Sequence, residues 1–223
     1  MEPVRAAFRD ECERLERVLR GLDDPALDRP TPCPPWRVRD LLAHVGTGAG
    51  RLVAMLGEPA PSRPEVTASA YFGAAKFAPE VDRARVDGAR AAAHDHPGAV
   101  EVAREFGRAW RATDAAVAAE PPGRVVRTRH GDAMALTEFL RTRVVEVAVH
   151  GLDLADALER APWTTPAAAA VVVDVLTAGR PVPAGLGWDA LTALRKTTGR
   201  LPLTGAERTA LAAADIPRLA FGR

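Results

Sequence analysis

Hydrophobic residues recur every three or four positions between residues 136 and 160, which makes this the most regular segment of the chain. The repeating apolar positions are Leu136, Leu140, Val144, Val147, Leu154 and Leu158. This spacing predicts a long amphipathic helix, because residues three and four apart lie on one helical face. Thr137 is the expected N-cap, and Pro162 is expected to end the helix.

Three further long helices are predicted at about residues 4–19, 38–56 and 99–119, where apolar residues again form stripes. Gly21 ends the first helix, and five prolines between Pro25 and Pro35 exclude a regular helix before the second. With the segment at 136–160, the chain therefore carries enough long helices to build a helical bundle.

The remaining segments predict smaller elements. Residues 124–135 alternate apolar and polar positions around a Gly-Asp turn, which predicts a small β-hairpin or a β-like loop. Residues 65–96 predict short helices without clear ends. Three short helices are predicted near the C-terminus, and Thr204 with Glu207 has the spacing of a capping box. We therefore divide the chain into a helical bundle at residues 1–160 and a short helical C-terminal extension at residues 161–223.

The composition favours an all-α fold. Ala, Val and Leu dominate the hydrophobic residues, and aromatic residues make up only 5% of the chain. Because alanine has the highest helix propensity, this composition favours closely packed helices over sheets. Basic and acidic residues number 30 and 29, for a net charge of +1. Such a balance argues against electrostatic binding to nucleic acid or to an anionic membrane.

The sequence also predicts a cytoplasmic protein. The charged first residues contain no apolar signal-peptide core, and no stretch approaches the ~20 apolar residues that span a bilayer. The two cysteines, Cys12 and Cys33, are too few for a disulfide framework, so we expect reduced thiols. Cys33 lies in the proline-rich segment and is interpreted as a packing residue rather than a nucleophile.

Glu146 and His150 suggest a metal site within the most regular helix. They are four residues apart, so both side chains leave the same helical face. A Glu-x-x-x-His pair is common on surface helices, but this one interrupts the apolar run VVEVAVHGLDLA. A buried carboxylate needs a cation or a metal as its partner. His44 has a similar setting in LLAHVG, so the three residues together predict a divalent metal site.

Two longer strings carry a family resemblance. RPTPCPPWRVRDLLAHV and RTRVVEVAVHGLDLADAL together resemble the mycothiol-dependent maleylpyruvate isomerase family, within the wider group of DinB-like four-helix bundles. The resemblance covers roughly residues 5 to 160. It implies a DinB-like bundle in which His44, Glu146 and His150 bind a divalent metal, generally zinc. It also implies mycothiol as a small thiol cosubstrate.

The same resemblance adds Arg143 and Asp153 as candidate catalytic residues. Arg143 lies one turn before Glu146 and can reach an anionic ligand, whereas Asp153 can accept a hydrogen bond from a liganding histidine. A surface ion pair or a helix cap is the alternative for either residue.

The C-terminal extension departs from the family pattern. Family members with isomerase activity carry a larger α/β C-terminal domain that contributes a catalytic arginine. Residues 161–223 instead predict short helices, and the motifs assign that role to none of Arg180, Arg195 and Arg200.

Three protein ligands leave zinc with an open coordination position, which is typical of catalytic sites. A thiol bound there is deprotonated and nucleophilic, which supports isomerisation or S-transfer to an electrophilic substrate. Two alternatives to thiol chemistry stay open. The metal could activate a water for hydrolysis, or the protein could be a metal-binding module without catalysis. The leading hypothesis is a metal- and thiol-dependent isomerase or transferase that acts on a small electrophile, as a monomer or homodimer.

Other polar motifs are interpreted structurally. His94 and His96 are expected at a polar helix end, and His130 in a turn. The glycines of GTGAG, at residues 46–50, follow a helix start rather than a strand, which excludes a dinucleotide fingerprint. They are expected to let a ligand or a neighbouring helix approach closely.

Overall fold

The computed structural model describes residues 1–73, 78–95 and 98–219. Within these ranges the helices are α1 Glu2–Leu19, α2 Val38–Leu56, α3 Ala68–Tyr71, α4 Pro79–His94, α5 Ala99–Ala119, α6 Leu136–Ala157, α7 Pro166–Leu176, α8 Ala190–Thr197 and α9 Gly205–Ala213. The strands are β1 Val125–Arg127 and β2 Ala133–Ala135. Across the part of the chain that is described, no helix has the length and apolar character needed to span a bilayer.

Four long helices, α1, α2, α5 and α6, form a closed bundle. Helices α1 and α2 each pack against both α5 and α6, and α4 covers the outer side of α2. Helix α7 packs on α6 and α1, and α8 packs on α7. The core is made of large apolar side chains that are almost completely buried, among them Phe8, Leu15, Leu41, Leu52, Phe139 and Leu140. The prediction of an all-α, DinB-like helical bundle is confirmed.

Helix α6 is buried on almost all sides, because α1, α2 and α7 all pack against it. Polar residues among its buried positions include Arg143, His150 and Asp153, so these side chains need partners inside the protein. The apolar stripe predicted from the sequence describes only part of this environment.

The predicted Thr137 N-cap of α6 is wrong. The helix already begins at Leu136, with Ala135 at the N-cap position and no side-chain cap. Strand β2 runs directly into the helix, and the N–H of Leu136 donates to the carbonyl of Arg124 at 2.8 Å. The hairpin backbone therefore satisfies a donor at the helix start that a side-chain cap otherwise serves.

The smaller predicted elements are present. Strands β1 and β2 pair antiparallel in the register Val125↔Ala135, which confirms the hairpin. Thr204 and Glu207 form the expected capping box at the start of α9. Of the segment at residues 65–96, the structure describes α3 and α4, whereas residues 74–77 lie outside the described ranges. The division of the chain at residue 160 stays a prediction.

Glu11 connects α1 to the start of α7. Its Oε2 accepts a hydrogen bond from the N–H of Thr165 at 2.8 Å, whereas its buried Oε1 has no partner among the described residues. Burial raises the pKa of the Glu11 carboxyl group to about 7, against the opposing effect of the Thr165 bond. A negative charge at this position is therefore unfavourable in the folded protein.

The pH dependence of stability should change when Glu11 is replaced by Gln. Folding raises the pKa of the Glu11 carboxyl group from 4.5 to about 7. The protonated form therefore contributes its full stabilisation below pH 4.5, and this stabilisation is lost as the pH rises through 7. Relative to wild type, Glu11→Gln should gain roughly 2–3 kcal/mol in free energy of unfolding between pH 5 and pH 8. Urea unfolding at both pH values measures this difference. Glu13→Gln, at an exposed position of the same helix, serves as the control, and equal shifts in both variants would contradict the prediction.

Candidate metal centre

The bundle brings together the three side chains that were predicted as metal ligands. His44 on α2 places its Nε2 3.2 Å from Oε2 of Glu146 on α6, and His150 Nε2 lies 3.5 Å from the same oxygen. The ligand atoms of all three residues lie within 4.8 Å of one another. Tetrahedral zinc, with bonds of about 2.0–2.2 Å, separates its ligand atoms by about 3.3–3.6 Å. The donor set suits zinc, and the two separations from Glu146 Oε2 lie close to this range.

Asp153 fixes the orientation of the His150 ring. His150 Nδ1 donates to Asp153 Oδ2 at 3.0 Å, which leaves Nε2 directed toward Glu146. Asp153 is completely buried, so the surface ion pair considered for it is excluded. The ring of His44 lies against Trp36, with centroids 4.9 Å apart and planes inclined by 32°. Both imidazoles are thus held by contacts additional to those with Glu146.

The electrostatics favour a cation beside Glu146. Burial alone would raise the pKa of Glu146, but hydrogen bonds with His150 and His44 hold it well below its usual range. Burial lowers the pKa of His44, and this outweighs the opposing effect of Glu146. Burial would also lower the pKa of His150, but Asp153, Cys33 and Glu146 raise it. A divalent metal ion satisfies the same preference for positive charge.

The three residues lie in a pocket of about 260 Å³ whose wall is rich in arginine. Residues from α2, α4, α6 and the hairpin turn line it, including the guanidinium groups of Arg51, Arg85, Arg129 and Arg143. Arg51 forms no hydrogen bond or ion pair with the described residues. Burial lowers its pKa, and the nearby charges of Arg129 and Arg143 lower it further. The pocket therefore has an excess of positive charge that an anionic ligand can neutralise.

Arg143 is a buried component of this pocket rather than a surface residue. It is 5% exposed, its guanidinium lies 4.8 Å from the centre of the Phe139 ring, and its Nη2 lies 3.9 Å from Glu146 Oε1. A Cβ atom at Gly48 would lie 3.2 Å from Arg143 Nη1. The absence of a side chain at Gly48 therefore makes room for this guanidinium, which explains part of the glycine-rich segment at residues 46–50.

Other residues considered from the sequence have different surroundings. Cys33 is buried, and its Sγ donates to Asp153 Oδ2 at 3.3 Å, so its thiol contacts the carboxylate that orients His150 in addition to packing. His130 lies in the hairpin turn and lines the pocket. His94 ends α4 outside the three-residue cluster, and His96 lies outside the described residues.

Sequence reasoning missed Arg51, and it named Arg200 in the extension without assigning it a contact. Arg51 follows His44 by seven residues, two helical turns along the same face of α2, and this spacing was an available signal. Arg200 pairs with Asp153 across 47 residues of sequence, and no local pattern indicates that contact.

Together, the fold and the site define a four-helix bundle with a candidate divalent-metal centre in a cationic pocket.

The chain belongs to the family described as the mycothiol maleylpyruvate isomerase N-terminal domain, whose model matches residues 8–155. A crystal structure of the mycothiol-dependent maleylpyruvate isomerase is similar in fold, with 19% identity and a TM-score of 0.54. A mutant of the isomerase, also solved as a crystal structure, has 18% identity and a TM-score of 0.55. Each alignment covers 79% of this chain and 68% of the solved chain. No curated protein matches the chain by sequence.

Proposed function

We propose that this protein is a zinc-dependent enzyme that uses a low-molecular-weight thiol, mycothiol, to isomerise an anionic electrophile or to transfer sulfur to it. The observation that carries the proposal is the cluster of His44, Glu146 and His150 in an arginine-rich pocket, with separations that fit tetrahedral zinc. Family membership and the two similar structures, which are mycothiol-dependent isomerases, support the thiol. We place this chemistry in the cytoplasm.

Different residues have different roles in the proposed reaction. His44, Glu146 and His150 would hold the metal, and Asp153 would keep the His150 ring in the liganding tautomer. When bound, zinc supplies the positive charge that stabilises a thiolate at neutral pH. Arg143, whose guanidinium lies beside Glu146, stabilises negative charge that develops on the substrate near the metal centre.

Arg51 and Arg129 are assigned to the anionic group of the electrophile. Both line the pocket, and Arg51 forms no ion pair with the described residues, while burial and the charges of Arg129 and Arg143 lower its pKa. A substrate carboxylate placed between these guanidinium groups would form charge-assisted hydrogen bonds, which are among the stronger polar contacts in proteins. The arginines thereby orient the electrophile toward the thiol.

The decisive assay uses zinc-loaded protein with maleylpyruvate, in the presence and absence of mycothiol. We expect isomerisation only with the thiol. Consumption of an ester or amide substrate without thiol would identify a hydrolase instead, and a zinc-loaded protein that turns over no substrate would identify a binding module. Either outcome would contradict the proposed function.

Arg51→Met tests the anion-binding role in the same assay. We expect the KM of the anionic substrate to rise roughly 10- to 100-fold, because a hydrogen bond to a charged group contributes about 1.5–3 kcal/mol. The zinc content and kcat should change little. Arg63→Met, at an exposed position in a loop, is the matched control. An unchanged KM in Arg51→Met would remove Arg51 from the substrate site.

A further inference from the structure

The side chain of Arg200 reaches from the C-terminal extension into the interior of the bundle. It follows α8 and the left-handed Gly199, which has a φ of 76°. Its Nε donates to Asp153 Oδ1 at 3.1 Å and its Nη2 to Asp153 Oδ2 at 2.6 Å. The side chain is 1% exposed, and that of Asp153 is 0% exposed. This is a buried, two-point ion pair between the extension and helix α6.

The same carboxylate faces the candidate metal centre. Asp153 Oδ2 accepts from His150 Nδ1 at 3.0 Å, so a continuous chain of hydrogen bonds runs from Arg200 through Asp153 to His150. Arg200 is not among the residues that line the metal pocket, so it does not face a ligand bound there. Its influence on the centre has to pass through Asp153.

Local backbone contacts hold Arg200 in place. Its Nη1 donates to the carbonyl of Thr198 at 2.8 Å, and the N–H of Leu201 donates to the carbonyl of Arg195 at 2.9 Å. With Nε and Nη2 on Asp153 and Nη1 on Thr198, all three guanidinium nitrogens are directed by the protein. Such a guanidinium positions a carboxylate in both distance and plane, which a single point charge does not do.

We infer that Arg200 is a positioning residue of the metal centre: it orients the Asp153 carboxylate, which in turn orients His150 for ligation. The inference rests on the metal centre of the proposed function and not on its thiol chemistry. The part of the extension that carries Arg200 is therefore needed for tight metal binding. Arg200 also argues against metal binding by the second cluster of potential ligands, Cys33, His150 and Asp153, because it already engages both oxygens of Asp153.

A purely structural ion pair would stabilise the fold without affecting metal affinity, so metal affinity is the measurement that separates the two roles. Zinc and cobalt titrations are made on wild type, Arg200→Met and Arg200→Lys at a temperature where circular dichroism shows each variant folded. We expect Arg200→Met to weaken zinc binding roughly 10- to 100-fold, as the loss of a residue that supports a metal ligand does. The absorption bands of bound cobalt should also shift, because the orientation of His150 changes.

Arg200→Lys keeps the buried positive charge and thus protects the fold, but it loses the two-point geometry. Its zinc affinity should lie between those of wild type and Arg200→Met. Arg180→Met, which changes a partly exposed arginine of the same extension, should bind zinc like wild type. Wild-type zinc affinity and cobalt spectrum in either folded Arg200 variant would overturn the inference. A wild-type protein that binds no zinc would instead refute the proposed metal centre.

Discussion

Glu146→Gln should abolish stoichiometric zinc binding and, with it, the thiol-dependent activity. The substitution preserves the shape of the side chain but removes the negative charge that lies 3.2 Å from His44 Nε2 and 3.5 Å from His150 Nε2. A neutral amide is a poor ligand for zinc, which takes imidazole, thiolate and carboxylate groups. We expect the affinity to fall by more than the roughly 10- to 100-fold that accompanies the loss of a supporting residue.

Elemental analysis after dialysis, together with calorimetric titration, measures this loss. Zinc should also raise the Tm of wild type and leave that of Glu146→Gln unchanged, because only a ligand that binds the folded state stabilises it. Glu159→Gln, near the C-terminal end of the same helix and exposed, is the control and should retain zinc. Retention of one zinc per chain by Glu146→Gln would contradict the assignment of this centre.

The second large effect concerns stability. Asp153→Asn removes the carboxylate that pairs at two points with the buried guanidinium of Arg200, and the loss of one member of a buried ion pair costs about 3–5 kcal/mol. We expect a loss of this size in the free energy of unfolding, measured by urea in the presence of a chelator so that metal binding does not contribute. The pKa of Asp153 is lowered in the folded protein, because hydrogen bonds with His150 and Arg200 outweigh the effect of burial.

The double variant Asp153→Asn with Arg200→Met should recover much of this stability. The double variant removes both members of the ion pair together, so the two substitutions should be strongly non-additive. Additive losses in the double variant would show that Asp153 and Arg200 contribute independently. Asp156→Asn, on the next exposed position of the same helix, provides the baseline for a charge removed near the helix end.

Local sequence patterns predicted much of the fold. The apolar repeats at residues 38–56 and 99–119 match α2 and α5 at both ends, and the proline-rich segment and the hairpin also agree with the structure. These features depend on contacts between residues close in sequence, such as helical periodicity and turn geometry. The start of α6 was predicted less well, because the backbone of the preceding hairpin replaces the expected Thr137 cap.

Some residues of the candidate site were also predictable from local sequence, whereas others were not. Glu146 and His150 were recognisable from their spacing within an apolar helix, and His44 from a matching setting and a family motif. Arg51 joins the candidate site because α4 and the hairpin turn line the same pocket as α2. That enclosure depends on how separate elements pack, which periodicity along one helix does not specify.

The sequence by itself determined the helical elements, the all-α class and the three residues proposed to hold a metal, since all of these follow from local spacing, composition or motif. The tertiary structure alone decided that the three side chains approach to within 4.8 Å, that four arginines line their pocket, and that Arg200 reaches Asp153 from the extension. The physical reason is that these contacts join residues far apart in the chain. Their distances are set by the packing of the bundle and by the requirement that each buried charge has a partner.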